Sequence, residues 1–305
     1  MSTAHMKTYD QVGKKEDVSD VISNITPTKT PFVSSIGTRK VSNTLFQWQE
    51  DSLRAVQANK NAEGFTASAS NLDPTTMRSG YTQILQKTFV VSGTADAINT
   101  YGRAKETAYQ MAKAGAEVKR DLEHALVGLN QTAVAGDSTT PRELTSVVSQ
   151  IATANKVVTD SSSSTTGSQA GPLTEANVLI ADQALYDGGA EATILMVKPA
   201  DSLLVADFAK ASGRYRNFND GQKTVTNVVN LYVSPFGEKK VVIDRFIKST
   251  DAILYDPSMW KLAVLRPWFR ETLAKTGDNT QMMIVGEYGL QHSNQSASAA
   301  VTNLS

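Results

Sequence analysis

The chain has 305 residues, 40% of them hydrophobic, which suffices for at least one buried core and is compatible with two domains. Thirty basic and thirty acidic residues give a formal net charge of zero, which argues against a protein whose main task is binding DNA or an anionic membrane. The absence of cysteine excludes disulfides, thiolate metal sites and cysteine nucleophiles.

The N-terminal residues 1–18 carry neither the apolar stretch of a signal peptide nor the arginine-rich pattern of a transit peptide. No run of eighteen apolar residues occurs in the chain, so no membrane-spanning helix is predicted. We expect a soluble protein that is made and kept in a cytoplasm. Met6 is a candidate native start, in which case residues 1–5 are an expression remnant.

The stretch ITPTKTPFVSSIG, residues 25–37, combines two prolines with a phenylalanine. Pro27 and Pro31 lack a backbone donor and push the preceding residue toward extended geometry. The pattern predicts a non-helical arm laid across a surface, and an ordinary N-terminal loop is the alternative.

Residues 40–98 have a pattern typical of strands. LFQWQ (45–49) and RSGYTQILQKTFVVSG (78–93) flank a small, polar segment with the composition of a mobile loop tip. The second strand is predicted to extend over about twelve residues, from Tyr81 to Ser92, with apolar residues on both faces. This pattern predicts a long hairpin that projects from the body and is covered in patches by something else.

Residues 101–131 carry the strongest helical pattern in the chain. Small and apolar residues recur every three or four positions and form one stripe. The pattern predicts a single helix whose charged residues, including Glu123, lie on a solvated face. The stripe comprises Ala104, Ala108, Met111, Gly115, Val118, Leu122, Ala125 and Leu129.

The second half of the chain mixes helices and strands. The serine-rich segment 160–171 is a surface loop or a domain boundary. Thr174 is predicted to cap a helix, residues 192–198 to form a buried strand, and Pro199 to begin another helix. From residue 231 onward, short apolar runs separated by turn residues predict a β-rich meander with a break at Arg266-Pro267. The elements together predict an α+β chain without repeats.

No catalytic or metal-binding motif stands out. His5, His124 and His292 share no spacing that suggests metal ligation, and the chain has no serine-hydrolase elbow, phosphate loop or dinucleotide-binding turn. Four carboxylates at strand ends or turns are assigned surface or capping roles. They are Asp244, Asp256, Glu271 and Glu287. The sequence predicts no enzyme, no cofactor and no metal site.

The stretch GRYRNF, residues 213–218, alternates arginines with aromatic residues, as nucleic-acid contacts often do. A solvated loop is the alternative.

The order of these segments resembles that of the major head (capsid) proteins of tailed bacteriophages, which have the Hong Kong 97 capsid fold. The resemblance covers residues 17–291. Its most specific pieces are TPF near Phe32, the turn at Phe236-Gly237, and the LRP…LAKTGD run from Leu265 to Asp278. None of these pieces is catalytic.

By similarity, the chain divides into the parts of that fold. They are an N-terminal arm (1–40), an extended hairpin loop (41–98), a peripheral domain with the spine helix and a linker (99–173), an axial domain (174–230), and a β-rich meander with a C-terminal tail (231–305). Some relatives carry a fused scaffolding segment, which is not expected here because the recognisable region begins so early. Some capsids of this fold form lysine–asparagine cross-links, and Lys60 lies near the loop tip, where lysine is common in any case.

The resemblance implies a structural protein that assembles through hexamers and pentamers into an icosahedral head around double-stranded DNA, inside a bacterial host. Implied partners are the portal, separate scaffolding or decoration proteins, and DNA held by weak non-specific contacts. Apolar residues of the arm and hairpin are predicted to contact neighbouring subunits and to be exposed in an isolated chain. The predicted contact residues are Pro27, Pro31, Phe32, Val33, Ile36, Trp48 and Phe89.

Two alternatives stay open at this point. One is the shell protein of an encapsulin-type nanocompartment, which has the same fold and encloses enzyme cargo. The other is an α+β enzyme or ligand-binding domain whose site is built from scattered polar residues.

Overall fold

The computed structural model describes residues 26–67, 69, 72, 74–102, 104–159, 170–211 and 231–305. The helices are α1 (Pro31–Ser35), α2 (Gly93–Ala97), α3 (Glu106–Val127), α4 (Val147–Gln150), α5 (Glu175–Asp187) and α6 (Pro199–Ala211). The strands are β1 (Gly37–Lys40), β2 (Leu45–Glu50), β3 (Thr76–Tyr81), β4 (Gln83–Ser92), β5 (Lys156–Val158), β6 (Ile194–Val197), β7 (Leu231–Ser234), β8 (Gly237–Ile243), β9 (Ala252–Tyr255), β10 (Trp260–Thr272), β11 (Asn279–His292) and β12 (Ser298–Thr302). The predicted α+β class is confirmed.

A four-stranded sheet in the order β1-β10-β11-β4 joins the N-terminal part of the chain to its C-terminal part. β1 runs parallel to β10, whereas the other two pairs are antiparallel. The predicted strand break at Arg266-Pro267 is wrong. β10 continues through both residues, and its register with β11 shifts on either side of Arg266. Pro267 is tolerated because a bulged stretch has no regular ladder bond at every residue.

The predicted hairpin is present, but its second strand is divided. β2 pairs antiparallel with β3, whereas β4 pairs with β11 of the four-stranded sheet. Between β3 and β4 lies Thr82, whose buried hydroxyl donates to Oε1 of Glu287 at 2.8 Å. The expectation of one continuous strand from Tyr81 to Ser92 is therefore wrong, because the chain changes partner at Thr82.

Helix α3 packs against β4 and β11 and is shorter at both ends than the predicted helix. Its middle buries Ala114 and Val118 against Ile284 of β11 and the half-buried Phe89 of β4. Its C-terminal half buries Leu122, Ala125 and Leu126 in the main core. The predicted stripe is thus confirmed for Val118, Leu122 and Ala125. Leu129 lies beyond the end of the helix and is half exposed.

A six-stranded sheet in the order β5-β12-β9-β6-β8-β7 carries a second core, to which α5 and α6 contribute. The predicted helix after Thr174 is confirmed, with the Thr174 hydroxyl accepting from the Asn177 amide at 3.3 Å. The predicted buried strand is β6, and the helix predicted to begin at Pro199 is α6. The strands β5 and β12 and the helix α4 were not predicted, because they are short or lack alternating polarity.

A buried ion pair joins α5 to the hairpin of β7 and β8. Lys239 Nζ lies 2.8 Å from Asp182 Oδ2, and the Ser234 hydroxyl donates to the same oxygen at 2.7 Å. Both charged groups are almost completely buried. Because a buried charge is tolerated only when it is paired, this contact fixes how α5 sits on the sheet.

The hairpin approaches the four-stranded sheet at two glycines, Gly80 of β3 and Gly289 of β11, which face the ring of Phe46. A Cβ atom on Gly289 would lie 2.6 Å from Phe46 Cε1 and 3.0 Å from the Tyr81 carbonyl oxygen. The ring fills the space that the missing side chains leave.

We expect Gly289→Ala to lower the free energy of unfolding by about 1–3 kcal/mol, because the added methyl group has no room beside Phe46. Urea unfolding of the unassembled chain measures this effect. The control is Gly37→Ala, whose new Cβ would meet no atom within 4 Å and which should change stability by less than about 0.5 kcal/mol. Equal losses in the two variants would show that the close approach at Gly289 does not matter.

Candidate functional site

The first described helix, α1, forms where the sequence predicted a non-helical arm. Pro31 occupies its first turn, where the missing N–H removes no helical hydrogen bond. Phe32 is fully buried, and its ring centroid lies 5.3 Å from that of Tyr255 and 5.9 Å from that of Trp260. The expectation of a non-helical segment is wrong, because this burial draws α1 into the main core of its own chain.

Glu123 of α3 holds the start of α1. The Phe32 amide donates to Oε1 of Glu123 at 2.6 Å, and the Val33 amide donates to Oε2 at 2.9 Å. Thr30, the N-cap residue, makes no side-chain capping bond. The Glu123 carboxylate, from another helix, accepts the hydrogen bonds that a capping side chain would accept. Glu123 is fully buried, and its assignment to a solvated face is wrong.

A small set of polar groups surrounds this contact. The Tyr255 hydroxyl lies 3.0 Å from the Ser35 hydroxyl at the end of α1. Asp244 is buried nearby, and its Oδ1 accepts from the Phe246 amide at 2.9 Å. Burial raises the pKa of Glu123 to about 7, against the effect of the two amide donors and with a further contribution from the charge of Asp244. Burial likewise raises the pKa of Asp244 and that of Tyr255.

One signal in the sequence could have indicated the burial of Glu123. The residues Ala125, Leu126 and Val127 follow one another without a polar residue, so the apolar face of α3 is wider at this end than the stripe alone implies. Glu123 lies beside this wide apolar face, so the elements that pack on the face also cover the Glu123 side chain.

The base of the hairpin is fixed to the body by apolar and polar contacts. Phe46 and Trp48 stack with ring centroids 5.9 Å apart and pack with Ala263 of β10. Glu50, the last residue of β2, accepts from Arg78 Nε at 2.9 Å and from the Gln295 amide at 3.1 Å. These contacts place the first half of the hairpin against the C-terminal part of the chain.

Glu287 of β11 forms a second polar anchor below the hairpin. Its Oε1 accepts from Arg142 Nη2 at 2.5 Å and from the Thr82 hydroxyl, and its Oε2 accepts from Arg266 Nε at 3.0 Å. The predicted surface or capping role of Glu287 is wrong, because its side chain is buried and its charge is balanced by two guanidinium groups. Asp244 and Asp256 do cap turns, at Phe246 and Ser258.

The loop between β2 and β3 is exposed, in contrast to the anchored base of the hairpin. All its described residues from 51 to 75 are exposed, including four large apolar side chains. They are Leu53, Val56, Phe65 and Leu72. Leu53 is 98% exposed, which is rare for so large an apolar side chain held on an anchored hairpin. We call residues 51–75 the hairpin tip.

Of the seven residues predicted to contact neighbouring subunits, five lie in or beside α1, Trp48 lies in β2 and Phe89 lies in β4. Phe32 and Ile36 are buried, whereas the other five are half-buried. The expectation that an isolated chain exposes Phe32, Trp48 and Phe89 is wrong, because each packs against residues of its own chain. Their assignment, with Pro27, Pro31, Val33 and Ile36, to inter-subunit contacts stays a prediction.

The remaining candidates for chemistry have structural roles or lie outside the described residues. His292 stacks on Trp260 with ring centroids 3.8 Å apart, and burial lowers its pKa to about 3, so its imidazole is neutral. His124 is exposed on α3. His5 and the stretch 213–218 lie outside the described residues.

Within the described ranges no group of three or more His, Asp or Glu side chains could hold a metal ion, and no helix is long and apolar enough to cross a membrane.

Comparison with known proteins places these features in a family. The family model described as "SU10 major capsid protein" matches residues 4–305. The major capsid protein of Escherichia phage Phieco32 is 32% identical over an alignment 337 residues long, which covers 96% of this chain and 95% of that protein. The solved capsid of cyanophage P-SCSP1u superposes with a TM-score of 0.65 at 11% identity and 94% and 92% coverage. The holo-SrpI encapsulin of Synechococcus elongatus gives 0.61 at 8% identity, with 96% and 92% coverage. The chain therefore has the predicted Hong Kong 97 capsid fold.

The burial of Phe32 changes what its removal should do. We expect Phe32→Ala to lower the free energy of unfolding of the unassembled chain by about 3–5 kcal/mol, because it empties a site between Tyr255 and Trp260. Phe65→Ala is the matched control: the ring of Phe65 is 60% exposed, and its loss should cost less than about 1 kcal/mol. Urea unfolding followed by circular dichroism measures both. A Phe32→Ala chain as stable as the control would show that α1 contributes little to the core.

Proposed function

The chain belongs to the SU10 major capsid protein family, and on that premise we propose that many copies assemble through hexamers and pentamers into an icosahedral phage head around double-stranded DNA. Family membership makes the chain a major capsid protein of a tailed phage. Such a protein is part of the virion, and many copies of it build the capsid. The capsomer types, the head geometry and the packaged genome are the parts that we propose.

The hairpin tip carries this proposal. The base of the hairpin is fixed by Phe46, Glu50 and Glu287, so the tip is held away from the core. Burying apolar surface contributes roughly 25 cal/mol per Å². Covering the exposed tip residues on another copy would therefore favour association, and repetition around a shell multiplies each such contact.

The division of the chain into functional parts follows the resemblance. We propose that residues 1–40 act as the arm and 41–98 as the extended loop, and that 99–173 and 174–230 contribute the peripheral and axial domains. The meander 231–305 then completes both domains. In support, β10 and β11 belong to the four-stranded sheet, whereas β7, β8, β9 and β12 belong to the six-stranded sheet.

The other partners follow from the chemistry of a DNA-filled shell. A net charge of zero suits an inner wall that tolerates dense DNA without binding it tightly. We propose weak, non-specific DNA contacts, a portal at one vertex, separate scaffolding or decoration proteins, and assembly in the host cytoplasm.

The fold alone does not separate a phage head from an encapsulin shell, since structures of both superpose on the chain with similar scores. The family match and the 32% identical phage protein favour the phage head. An enzymatic function lacks a sequence motif, and the family is a structural one. Genes for terminase, portal and tail proteins beside this gene would support the phage assignment, whereas an adjacent cargo enzyme would support the encapsulin alternative.

Removing the apolar side chains of the tip tests the proposed contact. We expect Leu53→Ser with Val56→Ser to reduce shell formation at least tenfold while unfolding of the single chain is unchanged, because both side chains are exposed in that chain. Negative-stain electron microscopy and sedimentation velocity under assembly conditions measure the yield of shells.

The matched control is Ala55→Ser with Ala58→Ser, which changes neighbouring residues of the same loop without removing a large apolar side chain. It should assemble like the parent chain. If the Leu53/Val56 variant assembles as well as this control, the tip does not drive association. If the parent chain itself stays monomeric at high concentration, the proposed shell is wrong.

A further inference from the structure

Attachment of α1 to the body depends on one ionisable group. The first two amides of the helix that have a hydrogen atom, those of Phe32 and Val33, both donate to the carboxylate of Glu123. Thr30 offers no capping side chain in its place. If α1 leaves the body, these amides and the carboxylate pass together from the protein interior into water.

The groups that face Glu123 leave its charge poorly compensated. From the segment after β8 comes Asp244, which adds a like charge. Tyr255 of β9 also faces Glu123, and it is a neutral phenol whose hydroxyl is hydrogen-bonded to that of Ser35. On α3 itself, Arg120 is directed over the ring of Phe246, and His124 is exposed. Among the described residues, none forms an ion pair with Glu123.

The direction of the pH effect follows from the two environments of the carboxyl group. In the docked state, burial raises the pKa of Glu123 to about 7 although the Val33 and Phe32 amides lower it, with a small further increase from Asp244, whereas in water it returns to the ordinary value of 4.5. Between these values the docked state binds a proton that the undocked state does not bind. Docking is therefore strengthened by protonation and weakens as the pH rises through 7.

We propose that Glu123 and the first turn of α1 form a pH-dependent latch, which holds α1 on the body in mildly acidic solution and loosens it in mildly alkaline solution. The latch is a property of the single chain and does not depend on the proposed shell. Release of α1 requires the ring of Phe32 to leave the core.

Hydrogen exchange at the two latch amides measures the opening. The probe is the full-length, unassembled chain at pH 6 and at pH 8, with protection factors calculated against the intrinsic exchange rate at each pH. The opening constant at Phe32 and Val33 is expected to increase about tenfold from pH 6 to pH 8. Amides of β6 at the centre of the six-stranded sheet report global opening and should not show this local change.

Two variants assign the effect to its group. Glu123→Gln keeps one carbonyl acceptor, as the protonated carboxyl does, and cannot titrate, so its opening constant should stay near that of the parent at pH 6 and should not change between the two values. Asp121→Asn removes an exposed carboxylate from the same helix and should retain the tenfold change.

Three outcomes would overturn the latch. One is a parent chain whose opening constant is the same at both pH values. Another is an opening constant that changes with pH in Glu123→Gln as much as in the parent, which would assign the titration to another group, such as Asp244. The third is an equal change in the β6 amides, which would mean that the whole chain, and not α1 alone, opens. If Glu123→Gln does not fold, the comparison of the parent chain with Asp121→Asn still tests the slope and its local nature.

Discussion

The contact between Glu123 and the first turn of α1 fixes the path of the chain that follows. Helix α1 ends at Ser35, a single buried residue follows, and β1 then pairs in parallel with β10. The Val41 amide continues this pairing by donating to the Val264 carbonyl at 3.0 Å, and β2 of the hairpin begins four residues later. Because each step leaves few free dihedral angles, the direction of the hairpin depends on where α1 is docked.

Buried charges recur where segments distant in the chain meet. Glu123 joins α1 to α3, and Asp182 with Lys239 joins α5 to β8. Glu287 joins β11 to Thr82, between β3 and β4, and to the loop before α4. Such groups contribute little net stability, since the cost of desolvation offsets the attraction. Displacing either partner, however, leaves a buried charged group without its ion pair or its hydrogen-bond donors. Their effect is therefore to disfavour other arrangements of the same elements.

Much of the fold could be predicted from the sequence, and the failures have common physical causes. The α3 stripe, the Thr174 cap, the buried strand β6 and the β-rich C-terminal part rest on local periodicity and capping chemistry, and those predictions hold. The errors at Pro31, Thr82, Glu123 and Pro267 all concern residues whose conformation or burial is set by a distant partner. Pro31 lies in a helix because Phe32 enters the main core, and Thr82 divides a strand because Glu287 accepts its hydroxyl. Local patterns carry no information about such partners. Of the candidate site, the exposed tip could be predicted from its composition. The apolar residues 125–127 could have indicated that Glu123 is buried, but the partners of Glu123 and of Glu287 could not be predicted.

The burial of Phe32 also changes which apolar residues remain available for contact with other subunits. The sequence suggested that the apolar residues of the TPF motif reach a neighbour, but Phe32 is covered by Tyr255, Trp260 and α3 of its own chain. A buried ring cannot also contact another subunit unless α1 first leaves the core. The hairpin tip, in contrast, exposes Leu53 and Val56 with no cover from the described part of the chain, while its base is anchored. On the proposed function, the residues on which folding depends therefore differ from those on which association between chains depends. The proposed association surface then lies on a segment whose described residues are all exposed and contribute nothing to the buried core.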